Sequence, residues 1–142
     1  MDTAPGRALL VHFGPTLHVD IGFDPDFAPG KNIIPVASIT DVLALIDTGA
    51  TESHIDEQAA SAMDLPIVDQ RSYGGSTGLH PANMYLAQIR VPALNYTVWG
   101  EFAGVNLAAG GLTHRALIGR TFLQNFNLQY WGPIGAVTLS MP

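Results

Sequence analysis

Short runs in which hydrophobic and polar residues alternate occur along most of the chain, and turn residues separate them. In the clearest run, from Thr16 to Phe23, every second residue is apolar, which indicates a strand with one buried face. Segments 52–63 and 121–126 place apolar residues at helical spacing instead. Many short strands with one or two short helices predict a mostly-β closed barrel or sandwich. The other strand candidates are residues 8–13, 33–39, 41–47, 67–73, 82–91, 96–102, 128–131 and 136–140.

Three predictions concern the ends and breaks of these segments. Pro35 interrupts segment 33–39, so we expect an edge position or a bulge there. In segment 52–63, Ser53 is the expected N-cap, with Asp56 and Glu57 in the first turn, where the helix dipole favours acidic side chains. Residues 1–7 are expected to form a loose end of a single domain that spans residues 1–142.

The most informative motif lies at the end of segment 41–47. An apolar run from Val42 to Ile46 leads directly into Asp47-Thr48-Gly49. This pattern predicts a strand buried on both faces, with Asp47 at its end, where the chain must turn. A carboxylate at the edge of a core costs free energy unless another group satisfies it or the protein uses it. Taken alone, the tripeptide favours the simpler interpretation that Asp47 caps a turn.

Two later segments change this interpretation. Segment 72–78, Ser-Tyr-Gly-Gly-Ser-Thr-Gly, is a candidate for a glycine-rich hairpin tip. Segment 116–123, Ala-Leu-Ile-Gly-Arg-Thr-Phe-Leu, runs from an apolar strand into a short helix. In their order and spacing, the three motifs resemble the retropepsin family, the retroviral-type aspartic proteases and their cellular and bacterial relatives. The resemblance extends over roughly residues 36–140, most of the chain.

The resemblance implies a closed barrel with a flap hairpin and the activity of an aspartic endopeptidase on peptide or protein substrates. That chemistry needs two carboxylates that share one proton. Of nine aspartates, only Asp47 precedes Thr-Gly or Ser-Gly. The second catalytic aspartate must therefore be Asp47 of an identical chain in a C2 homodimer.

The resemblance also assigns roles to the neighbours of Asp47 and to the hairpin tip. Thr48 would bond across the two-fold axis, Gly49 would allow close approach and offer its N–H group to the carboxylates, and Ala50 would continue the supporting loop. The tip would close over the substrate and exclude water. The residues that match the flap by position are Tyr73, Gly74, Gly75, Ser76, Thr77 and Gly78.

Gly119 and Arg120 match the second signature of the family. The resemblance implies that Arg120 braces the dimer or the active-site loop through a bidentate pair with a carboxylate. Viral members carry Asp-Asp where this chain has Thr51-Glu52. Glu52 is therefore the candidate replacement for the missing partner of Arg120.

Two alternatives remain open beside these assignments. Segment 72–78 also fits an ordinary surface hairpin tip. The whole chain also fits a retropepsin-like dimer that binds peptides, or only assembles, without cleaving them. The intact Asp-Thr-Gly motif favours hydrolysis, because binding alone does not require paired acids.

Composition and charge narrow the classes of partner. Hydrophobic residues make up 47% of the chain and charged residues 13%, which excludes a disordered chain and suggests that a partner covers some apolar surface. A net charge of −6 without a basic cluster argues against nucleic acid and anionic membranes as partners. The chain has no cysteine, no recognisable signal peptide and no membrane span, so we expect a cytoplasmic protein.

The five histidines do not indicate a metal site. None has metal-ligand spacing to another, so we expect neither a metal nor a cofactor. His54 and His80 lie near Asp47 and the hairpin tip in sequence. A pH effect on the site is one interpretation of these two residues, and ordinary surface histidines are the favoured one.

Overall fold

A computed structural model describes residues 4–75 and 78–142. These residues form nine strands and three α-helices, with short 3₁₀ turns between some of them. In chain order the elements are α1 (Ala4–Phe13), β1 (Thr16–Gly22), β2 (Ile39–Ile46), β3 (His54–Asp56), α2 (Glu57–Ala62), β4 (Ile67–Gly75), β5 (Gly78–Val91), β6 (Tyr96–Val105), β7 (Ala116–Ile118), α3 (Arg120–Leu123), β8 (Asn127–Trp131) and β9 (Ala136–Ser140).

Six of these strands close into a barrel in the order β1-β2-β7-β3-β6-β5. The barrel closes because β1 pairs with β2 on one side and with β5 on the other, where Ile21 lies opposite Ile89. The β2–β7 and β3–β6 pairs are parallel and the other pairs are antiparallel. The predicted mostly-β closed barrel is therefore confirmed, with three helices where one or two were predicted.

The remaining strands form two hairpins. β4 pairs antiparallel with β5 alone and extends the sheet beyond the barrel as far as Gly75 and Gly78. β8 and β9 form a separate two-stranded sheet. The predicted last hairpin is confirmed, and it stands apart from the barrel sheet.

The core lies inside the barrel, and alternate residues of the barrel strands point into it. In β1 these residues are Val19 and Ile21, which are fully buried, and this confirms the alternation expected for Thr16–Phe23. α3 covers one end through Phe122, which stacks on Phe126 and meets Tyr96 edge to face. Aromatic pairs of this geometry add to the free energy gained from burial alone.

The N-terminal segment differs from the prediction of a loose end and a strand over residues 8–13. Residues 4–13 form α1, with Leu10 buried. The helix packs against the turn at residues 132–134 and against β9. Gly135 permits this contact, because a Cβ atom there would collide with the backbone of Gly6 and Arg7. The apolar run over residues 8–13 fits a strand as well as a helix. The packing of this segment against the turn at 132–134 and β9 favours the helix.

The segment before β2 also differs from prediction. Residues 33–38 are irregular, and the strand begins only at Ile39. The Val36 N–H group donates to the Asp24 carboxylate at 2.9 Å, and the Ser38 N–H group donates to the Ile21 carbonyl at 2.9 Å. The segment is thus held along β1 by isolated hydrogen bonds. β2 itself is not buried on both faces: Ala44 is buried, whereas its neighbours are partly exposed.

Segment 52–63 is a strand followed by a helix, not a helix throughout. β3 occupies residues 54–56, and α2 begins at Glu57. The N-cap is Asp56, whose carboxylate accepts from the Ala59 N–H group at 3.1 Å and from the Leu107 N–H group at 3.1 Å. The prediction of Ser53 as the N-cap was wrong, because the side chain of Ser53 is used elsewhere, as described below.

Because the barrel closes at β5, shortening a buried side chain of that strand should lower the free energy of unfolding considerably. Ile89 is fully buried, so Ile89→Ala should lower the free energy of unfolding by about 2–5 kcal/mol. Ile34→Ala removes the same atoms from a side chain that is 63% exposed, and it should change the free energy by no more than about 0.5 kcal/mol. Urea denaturation of both variants measures the difference, and equal losses would contradict the assignment of Ile89 to the core.

Candidate active site

The loop of residues 47–53 crosses the end of β7. Because β7 lies between β2 and β3 in the sheet, the chain that leaves β2 must pass over the end of β7 before it can form β3. The Asp47 N–H group continues the pairing with β7 by donating to the Ile118 carbonyl at 2.9 Å. Asp47 is thereby held at the point where the strand ends and the crossing begins.

Gly119 makes room for this crossing. A Cβ atom at residue 119 would press on the backbone of Glu52 and lie 3.0 Å from the Ala50 carbonyl oxygen. The Gly119 N–H group donates to the buried Ser53 hydroxyl at 3.0 Å. Glycine is therefore required here for space, and Ser53 fastens the far side of the loop to β7.

The Asp47 side chain is half-buried at the start of the crossing loop. Its Oδ1 atom accepts from the Gly49 N–H group at 2.9 Å, and the Ala50 N–H group donates to the Asp47 carbonyl at 3.2 Å. Thr48 and Gly49 are exposed. The loop thus holds one carboxylate oxygen and presents the next two residues outward.

Arg120 braces the same loop from the other side. Its guanidinium donates to the Thr48 carbonyl at 2.8 Å and to the Thr51 hydroxyl at 3.0 Å. These acceptors are a carbonyl and a hydroxyl, rather than the carboxylate that the resemblance implied. Glu52, the candidate partner, instead accepts from the Thr121 hydroxyl at 3.4 Å. The brace therefore acts within one chain and does not depend on an ion pair.

An open cleft of about 540 Å³ lies beside the loop. Its lining includes three titratable residues, Asp47, Glu52 and His54, and three large apolar residues, Val105, Leu107 and Leu117. Asp47 thus borders a cleft that is lined by apolar side chains as well as by titratable ones. A cleft of this kind can hold an apolar side chain of a ligand close to the carboxylate.

His54 differs from the surface histidine that the sequence favoured. It is partly buried on β3 and lines the same cleft as Asp47. Burial lowers the pKa of His54 below its usual value, and the neighbouring carboxylates of Glu52 and Asp47 act in the opposite direction. His80 is also partly buried, but it lines a different cavity, with Glu57 and Asn83.

The predicted flap coincides with the hairpin of β4 and β5. The backbones of Tyr73, Gly74 and Gly75 pair with His80, Leu79 and Gly78. Gly78 is exposed and has a φ of +111°, a conformation that glycine adopts readily. Ser76 and Thr77, which complete the predicted flap, lie outside the described residues. Gly78 does not belong to the lining of the cleft beside Asp47.

Sequence reasoning did not find the walls of the cleft. His54 was noted near Asp47 but favoured as a surface histidine, because helical spacing was assigned to residues 52–63 and the short strand β3 was missed. The alternation of His54, Ile55 and Asp56 between polar and apolar residues was the available signal. Leu107 and Leu117 come from distant parts of the chain, and only the barrel brings them beside Asp47.

Two further observations concern membranes and metals. Of the helices in the described residues, none combines the length and apolar character needed to span a bilayer. Over residues 4–75 and 78–142, no group of three or more histidine, cysteine or acidic side chains is placed to hold a metal ion.

Comparisons with known proteins do not identify a family. No protein-family model matches the chain, and no curated protein matches it. The likeness to retropepsins therefore rests on the motifs themselves and stays a prediction.

The Arg120 brace predicts a specific effect of a charge-conserving substitution. Lysine keeps the positive charge but cannot reproduce the two divergent N–H donors of the guanidinium. Arg120→Lys should therefore cost on the order of 1 kcal/mol of stability and speed amide exchange at Gly49 and Ala50. Urea denaturation and hydrogen exchange measure these effects. The matched control is Arg7→Lys on the exposed surface of α1, and exchange that is equally slow in both variants would contradict the brace.

Proposed function

We propose that the chain is an aspartic endopeptidase that works as a C2 homodimer with one Asp47 from each protomer. The observation that carries this proposal is the position of Asp47, held by the Gly49 N–H group at the edge of an open cleft. The Arg120 brace supports it, because paired carboxylates need a rigid loop to approach each other repeatedly in one geometry. A turn cap alone does not require such a brace.

The mechanism follows from two carboxylates that share one proton. The ionised Asp47 takes a proton from a water molecule as the water oxygen bonds to the peptide carbonyl carbon, and the neutral Asp47 donates its proton to the carbonyl oxygen. The Asp47 that took the proton from water then donates it to the amide nitrogen, and the C–N bond breaks while the other Asp47 accepts a hydroxyl proton as the carbonyl re-forms. The two residues exchange the roles of acid and base during the cycle, so identical residues from identical chains suffice.

The proposed dimer is supported by surfaces that the single chain leaves uncovered. Thr48 is exposed beside Asp47, where its hydroxyl can bond across a two-fold axis. The β8–β9 hairpin and its turn carry large exposed apolar side chains, including Tyr130, Trp131 and Ile134. An isolated two-stranded hairpin is only marginally stable, and burial against a second copy would stabilise it.

The substrate class follows from the lining of the cleft. Val105, Leu107 and Leu117 offer an apolar wall beside Asp47, which favours an extended peptide with an apolar side chain next to the scissile bond. A cytoplasmic location belongs to the same proposal, because a chain without cysteine suits a reducing compartment.

Asp47→Asn should abolish peptide hydrolysis while the fold is retained. Asparagine keeps the shape of the side chain but cannot share the proton that the mechanism requires. Hydrolysis of unfolded casein and of a random peptide library at about pH 4 to 7, with a pepstatin-type inhibitor as a reference, measures the loss. Asp64→Asn, at an exposed turn, is the control and should keep full activity.

A mixing experiment tests whether two Asp47 residues are needed. When wild-type and Asp47→Asn chains exchange freely in equal amounts, about one quarter of the dimers carry both acids under random pairing. We expect activity to fall to that fraction of the activity of an equal amount of wild-type dimer.

Activity that stays near half, in proportion to the wild-type chains, would mean that each chain acts alone. Wild-type protein that binds peptides but cleaves none would favour the alternative of a peptide-binding dimer.

A further inference from the structure

His54 is a titratable residue of the cleft beside Asp47, and the proposed mechanism leaves it without a role. It lies on β3, which pairs with β6 on one side and with β7 on the other. His54 lies opposite Ala103 of β6 and Leu117 of β7. Its neighbour Ile55 is fully buried in the core. His54 therefore points away from the core, and it borders the same cleft as Asp47 and Glu52.

The charges around His54 come from the crossing loop. Glu52 and Asp47 are the carboxylates that act on its imidazole and raise its pKa, against the larger effect of burial. The guanidinium of Arg120, at the start of α3, donates to the Thr48 carbonyl and the Thr51 hydroxyl of that loop. The imidazole thus shares the lining of one cleft with two carboxylates.

The other elements packed near β3 direct their charged groups elsewhere. Asp56 accepts from the backbone N–H groups of Ala59 and Leu107. Glu57, at the start of α2, accepts from the Tyr85 hydroxyl at 2.6 Å. The residues of β6 and β7 that pair with β3 are apolar or glycine, and His114, just before β7, contacts Thr16 at 3.1 Å.

We propose that His54 is a positioning residue for the proposed hydrolysis: when protonated, it favours the ionised form of the Asp47 pair and so extends activity toward lower pH. This inference rests on the proposed function. The active state of the pair carries one proton and one negative charge. A positive imidazolium on the wall of the same cleft stabilises that negative charge and delays the second protonation as the pH falls.

The direction of the effect follows from the reciprocity of coupled proton binding. If ionised Asp47 favours the protonated form of His54, protonated His54 must favour ionised Asp47 by the same free energy. Burial keeps His54 neutral until the pH falls below its ordinary titration range. The effect is therefore confined to the acid limb of the pH profile, and a residue that only supported the fold would not produce that signature.

The first experiment measures the coupling without relying on activity. NMR titration of the imidazole C–H signals, assigned with His54→Gln, should show that Asp47→Asn lowers the pKa of His54. Asp64→Asn, remote from the cleft, is the matched control and should leave that pKa unchanged. An unchanged His54 titration in Asp47→Asn would overturn the inference.

The second experiment measures the pH profile of kcat/KM for one peptide substrate. On the acid limb, His54→Gln should lose on the order of threefold in kcat/KM relative to wild type, whereas the two should converge above the titration range of His54. His12→Gln, on the exposed surface of α1, is the histidine control and should follow wild type throughout. A loss that is equal at every pH would indicate a structural role and would overturn the inference.

The two measurements separate this inference from the proposed function. If hydrolysis depends on Asp47 but the pKa of His54 does not change in Asp47→Asn, the role of His54 is rejected and the proposed function is retained. A wild-type chain that hydrolyses no peptide rejects the proposed function and the role of His54 within it, while the NMR titration still shows whether the two side chains are coupled.

Discussion

The candidate site depends on one steric constraint, the crossing of the chain over the end of β7. β7 lies between β2 and β3, so residues 47–53 must pass over Gly119 with no space for a side chain beneath them. This crossing fixes the position of Asp47 at the end of β2. It also brings Arg120, the residue after Gly119, against the carbonyl of Thr48. The position of Asp47, the loop and the Arg120 brace are thus consequences of one strand order.

The brace has a different chemistry from the one implied by the family resemblance. Thr51 stands where viral members carry an aspartate, and Arg120 donates to its hydroxyl and to a main-chain carbonyl. Arg120 thus makes these hydrogen bonds without a carboxylate partner, and the carboxylate of Glu52 lies on the wall of the cleft. The cleft wall therefore carries a second carboxylate beside Asp47, and His54 lines the same cleft.

Predictions from the sequence agree with the structure where an element depends on neighbouring residues, and they fail where it depends on contacts between distant segments. Alternation over Thr16–Phe23 predicted a strand, because burial of one face is a local property of the sequence. The apolar run before Asp47 predicted that the carboxylate follows a strand for the same reason. Residues 8–13 and 52–63 were misassigned because short apolar segments fit more than one period, and contacts with β9 and Leu107 decide between them. The walls of the cleft could not be predicted, since Leu107 and Leu117 reach it from distant segments.

The sequence by itself determined the mostly-β class, the strand that ends in Asp47, and the presence of a single candidate catalytic aspartate per chain. These features depend on residue type and local spacing. Only the tertiary structure decided that Arg120 bonds to Thr48 and Thr51, that Ser53 fastens Gly119, and that His54 shares a cleft with Asp47. These contacts depend on which strands become neighbours, and strand order is set by the closure of the whole barrel rather than by any one segment.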